Sequence, residues 1–155
     1  MASQLPTFPR TIFTIVEPIS LVAGCVGAII DPGWFIASQI DNPALLASSD
    51  NARLVALQLG NCYGLLFLVG VAVLYTTNEL KVVRNYLVAL LIADVTHVGL
   101  TCWGLGYEKS MDVAAWNATT WGNVGFTIFL GMTRTAYLLG LFGPGTKSIK
   151  GSKEL

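Results

Sequence analysis

Charge is scarce in this sequence. Of its 155 residues, 12% are Asp, Glu, Lys or Arg, against roughly 25% in an average soluble domain. So few solvated side chains cannot coat a water-soluble surface. There is no excess of either sign, because nine basic and nine acidic residues give a formal net charge of zero. That excludes nucleic acid as a partner. Histidine occurs once and cysteine three times. Cys25, Cys62 and Cys102 lie inside apolar runs without metal-ligand spacing, as small packed residues do. Neither a zinc site nor a disulfide framework fits, and no metal or cofactor is expected. A nucleophile elbow, a P-loop and a dinucleotide fingerprint are also missing.

What the chain has instead is long apolar runs. Hydrophobic residues make up 54% of it, and the mean hydropathy is +0.63. A membrane helix needs about 20 mostly apolar residues. Four runs qualify, at about 11–30, 53–76, 86–106 and 121–142. The first is read as retained rather than as a signal peptide, because Glu17 interrupts it and no small-residue cleavage site follows before Asp31 and Pro32. Gly143, Pro144 and Gly145 end the fourth. Residues 77–85 read as a tight polar hairpin. The connection over 31–52, with Trp34, Phe35 and Ile36, reads as partly interfacial. The expected fold is all-α, a transmembrane four-helix bundle over 11–142, with a short N-terminal segment and a flexible tail from 143.

Orientation follows from the basic residues. Arg10, Lys81, Arg84, Lys147, Lys150 and Lys153 fall on one side, which makes both termini cytosolic. Trp34, Trp103, Trp116 and Trp121 form an aromatic belt on the other, while Tyr75 and Tyr86 mark the cytosolic boundary. Asn117, Ala118 and Thr119 spell a glycosylation sequon on the lumenal side, very near the fourth run. The expected location is the endoplasmic reticulum membrane.

Ionisable residues inside such helices cost about 2.5–3.5 kcal/mol each on insertion scales, and they face the bundle interior where they are kept. Glu17, Asp94, His97 and Arg134 are of this kind. Helical spacing groups them with other polar residues. Thr14, Glu17 and Ser20 share one face, as do Gln58 and Asn61; Asp94, His97 and Thr101; and Asn123, Thr127 and Arg134. Four polar stripes facing one another imply a polar interior. Glu17 and Arg134 lie at similar depth, about 9 and 12 Å from the cytosolic ends of their helices at 1.5 Å per residue, so they are expected to pair. Pro18 cannot donate to the carbonyl of Thr14, so the first helix should kink there. Gly60 and Gly64, and more loosely Gly99 and Gly104, let helices approach closely.

Two readings of these residues stay open. In one, Glu17–Arg134 is a buried salt bridge and Asp94–His97 a polar pair that sets helix register. In the other, Glu17, Asp94 and His97 are catalytic: Asp94 orients His97, which moves a proton near neutral pH. Glu17 then either stays protonated as a general acid or, paired with Arg134, stays ionised and stabilises a carbocation. Asn61, Asn123 and Arg134 would orient substrate or water. The implied ligand is a lipophilic small molecule or lipid. A channel or transporter fits less well, since four short runs lack a recurring pore motif and only an oligomer could supply a pore.

Three stretches carry a resemblance: PRTIFTIVEPISLVAG at 9–24, the segment from Leu57 to Gly99, and WNATTWGNVGFT at 116–127. Over about residues 6–143 the chain resembles a family of small four-span integral membrane proteins of filamentous fungi with no assigned activity. In layout it is also similar to the EXPERA group, which includes sterol isomerases, and to fungal membrane-bound terpene cyclases, which have more spans. That likeness implies an isomerase or cyclase acting on terpenoid or sterol-like substrates. No active-site motif aligns, so it implies no catalytic residue. The rival expectation is a non-enzymatic membrane protein that binds lipid or supports partners.

Overall fold

The computed structural model describes residues 5–40 and 49–143. The extreme N-terminus, part of the 31–52 connection and almost all of the expected tail lie outside the described residues. Among those described, regular structure is helical throughout and no strand occurs. Four long helices dominate. Helix α1 is Thr7–Ile30, α3 is Asp50–Thr76, α4 is Leu80–Leu105, and α6 covers residues 118–138. Two short ones lie between them, α2 at Pro32–Gln39 and α5 at Tyr107–Met111.

Three helices, α1, α3 and α4, are long and apolar enough to cross a membrane. The expected fourth run is helical too, but α6 is not among them. It has the length, about 31 Å at 1.5 Å per residue, but it carries Asn123, Arg134 and several threonines. Those hydroxyls are satisfied within the helix: Thr133 donates to the carbonyl of Phe129 at 2.9 Å, and Thr135 to that of Gly131 at 2.8 Å.

Burial is inverted relative to a soluble bundle. Ile92 and Leu100 on α4 are more than 60% exposed, whereas Arg134 is fully buried. Apolar side chains outside and charge inside is what a hydrocarbon solvent selects.

The helices pack as two pairs, α1 on α3 and α4 on α6. Glycine explains the first. A Cβ on Gly60 would lie 2.9 Å from Ile29 and 3.1 Å from Ala28, and one on Gly64 would lie 3.3 Å from the Cys25 sulfur. Gly99 and Gly104 face open space instead and play no such part. The pairs join at the end where α3 turns into α4, through a cluster of Ile12, Phe13, Leu74, Val83, Leu87 and Leu130. The turn is shorter than the expected hairpin, because α4 starts at Leu80 and Lys81–Asn85 are already helical. At the other end, Asp31 caps α2 by accepting from the Trp34 amide at 2.9 Å. Helix α2 then folds inward and buries Phe35 and Ala37, with Phe35 packing against Ala28 and Ala56. The described part of the 31–52 connection is thus a short helix that plugs this end of the bundle, with Trp34 left exposed.

Two stretches are wound as π-helix, Ile12–Val16 in α1 and Trp121–Phe126 in α6. The irregularity expected at Pro18 therefore lies in the turn before it. Helix α4 ends at Gly106, whose φ of +81° suits only glycine. There the Ser110 hydroxyl bonds the carbonyls of Cys102 at 3.0 Å and Gly106 at 2.8 Å.

Candidate functional site: a shared guanidinium beside an interhelical cavity

Arg134 is the centre of the site. Its Nη2 donates to Glu17 Oε1 on α1, and its Nη1 donates to Asp94 Oδ2 on α4. Three helices that are distant in sequence thus meet on one guanidinium, whose planar fork can serve two carboxylates at once. Below it lies the ring of Phe13, with its centroid 5.4 Å from the guanidinium carbon. Phe13 sits one helical turn before Glu17 and is itself buried. Gly131 on α6 faces Asp94, and a Cβ there would stand at ordinary contact distance, 3.5 Å, from the Asp94 carboxylate. The Nε of Arg134 is buried without a partner among the described residues.

The expected Glu17–Arg134 contact is therefore present, and Glu17 takes the paired arrangement. The expected Asp94–His97 hydrogen bond is not. Asp94 is turned to Arg134 on α6, so it does not orient the imidazole. His97 makes no hydrogen bond with the described residues and is partly buried. Both its ring nitrogens are free for a ligand.

His97 lines a cavity of about 520 Å³ together with Glu17, Ser20, Tyr63 and Asn123. Leu21, Gly24, Phe35, Leu66, Phe126 and Leu130 supply much of the remaining wall. The plug α2 closes it at one end. There Asn123 donates to Gln39 at 3.0 Å, and Asn117 donates to the Ser38 carbonyl at 2.9 Å. Asn123 thus faces the cavity as expected, but one of its amide protons is committed to the plug. A second space of about 550 Å³ lies between α4 and α6, with Asp94, Thr127 and Thr135 in an otherwise mostly apolar lining. The triad is a partition: Glu17 borders the cavity and Asp94 borders the groove.

Asn61 does not belong to the site. It is exposed, as is Gln58, because α3 turns its glycine face inward and its amide stripe outward. Tyr63, two residues on, takes the place that sequence reasoning assigned to Asn61. The only signal for it was its position beside Gly64. No group of three or more His, Cys, Asp or Glu side chains could hold a metal among the described residues.

Apolar membrane-length helices around a buried three-residue ion cluster define a helical membrane protein. The chain belongs to the family described as a domain of unknown function, DUF7704, whose model matches residues 2–144. No curated protein and no solved structure matches it.

Proposed function

We propose that this is a four-span protein of the endoplasmic reticulum membrane, with both termini cytosolic, that binds a lipophilic small molecule inside its bundle and moves a proton on it. The observation that carries this reading is the cavity beside His97. Its size lies within the usual 300–1,000 Å³ range of ligand sites, and its lining is apolar with a few polar groups, as in such sites. A rigid polycyclic ligand of terpenoid or sterol type suits those walls.

The roles divide by what Arg134 leaves free. Both acids are engaged by the guanidinium, so neither is a ready proton donor. His97 lines the cavity and makes no hydrogen bond with the described residues, and an imidazole can both give and take a proton near neutral pH. An isomerisation needs a proton added at one carbon of the ligand and removed from another. His97 serves that exchange, and Glu17 offers negative charge to the cation formed in between. The fourth span is α6, whose charge is neutralised inside the bundle rather than shown to lipid.

Gly122 provides the test. It lines the cavity, and a Cβ there meets nothing within 4 Å. Gly122→Leu should fill the cavity without a backbone clash. Lipid extracts of the purified protein should contain an apolar compound that is retained by the wild type and by Gly99→Leu but lost from Gly122→Leu. Equal retention in all three would show that the cavity is not the binding site. A carrier without catalysis is the second reading, and it is favoured by the engagement of both acids. It predicts that the bound compound leaves unchanged.

A further inference from the structure

The two faces of α3 differ in kind. One carries Gly60 and Gly64 and is covered by α1. The opposite face carries Leu54, Gln58, Asn61, Leu65, Leu68 and Ala72, all of them exposed. Their spacing alternates four and three residues, the a/d period of a left-handed helix pair. The seam runs for about 27 Å at 1.5 Å per residue, close to the roughly 30 Å of a bilayer's hydrocarbon core.

Leucines alone would say nothing, because lipid tails are as apolar as leucine. The two amides carry the argument. Neither Gln58 nor Asn61 makes a hydrogen bond with the described residues, and hydrocarbon offers no water to satisfy them. They occupy consecutive seam positions near the middle of a helix that is long and apolar enough to cross a membrane. A side chain that needs a partner there finds it in another protein surface.

We propose that this face is a homodimer interface, in which α3 packs along α3 of a second copy and the two Asn61 side chains hydrogen-bond to each other. All copies insert in the same orientation, so the twofold axis runs along the membrane normal and the helices are parallel. In a parallel pair, equal positions meet across the seam. A carboxamide has both donors and an acceptor, so it is complementary to itself. One polar seam residue also fixes register and favours two strands over three. None of the six residues lines the cavity, so the dimer leaves the ligand site unchanged and stands apart from the proposed function.

The test uses the full chain in vesicles. In a Cys62→Ser background, Leu65→Cys should form a disulfide-linked dimer under copper phenanthroline. Val95→Cys, on the equally exposed face of α4, should not. Single-molecule photobleaching of labelled protein should show dimers at low protein-to-lipid ratio, and Asn61→Leu should weaken them by about tenfold, as expected for losing one interhelical polar contact. A monomer at every ratio, a dimer as strong in Asn61→Leu as in the wild type, or crosslinking at Val95→Cys alone overturns the proposal.

Discussion

The phenol of Tyr75 on α3 donates a hydrogen bond to the carbonyl of Thr14 on α1, at 2.8 Å. That oxygen is the one to which Pro18, lacking an amide proton, cannot donate. A defect in one helix is therefore satisfied by its neighbour, which ties the α1–α3 pair together near the ion cluster.

Tyr75→Phe should lower thermal stability in detergent by an amount near that of one interhelical polar contact, about 0.6–2 kcal/mol. The loss should shrink in a Pro18→Ala background, where an amide returns to residue 18. Equal losses in both backgrounds would separate Tyr75 from the proline.

Removing the shared cation should be far more damaging. Arg134→Leu leaves two inward-facing carboxylates without a counter-charge, and breaking a buried pair in this way costs roughly 3–5 kcal/mol. Fluorescence-detected size exclusion should show little folded protein. Arg134→Leu combined with Glu17→Gln and Asp94→Asn should recover part of it. If the single variant accumulates normally, the cluster is not what holds the helices.

His97→Gln should behave in the opposite way. The imidazole makes no hydrogen bond with the described residues, so abundance and melting should stay near the wild type. Turnover of the ligand in isolated membranes should fall by about 10²–10⁴-fold, the usual contribution of a general acid–base group. Full turnover in a well-folded His97→Gln protein removes the imidazole from the chemistry and leaves the carrier reading.

Asn117 should carry no glycan, although it sits in a sequon. Its side-chain oxygen caps α6 by accepting from the Thr120 amide at 2.8 Å, and its nitrogen is bonded to the plug. Glycosidase treatment should leave the protein's mobility unchanged. Asn117→Ala should cost about 0.5–2 kcal/mol through the lost cap, measured by thermal melting.

The apolar helices were legible because hydrocarbon imposes a length and a composition that a run of residues displays directly. Their ends were less so. Lys81–Asn85 read as a polar turn, yet helices continue beyond their apolar stretch, and α4 does so by about two turns at 3.6 residues per turn. The Glu17–Arg134 contact followed from charge and depth alone. The place of Asp94 did not, because spacing along α4 groups it with His97 and carries no information about a cation arriving from α6. Asn61 shows the same limit. Periodicity tells that Gln58 and Asn61 share a face, but not which face turns inward. Close packing on Gly60 decides that, and it outweighs the polarity of two amides. Regular 3.6-residue spacing also fails across Trp121–Phe126, where the π-helical winding changes the phase between Asn123 and Arg134.

The order in which the chain is made gives the ion cluster another meaning. Glu17 and Arg134 are 117 residues apart in sequence, and synthesis delivers the N-terminal helices first. The two acid-bearing helices, α1 and α4, are therefore made before α6, which carries their cation. Until that helix arrives, neither acid has its counter-ion, and a chain truncated before it never gains one. Arg134 thus sets an order of assembly: the ion pairs that join α1 and α4 through one guanidinium can form only after α6 has been made.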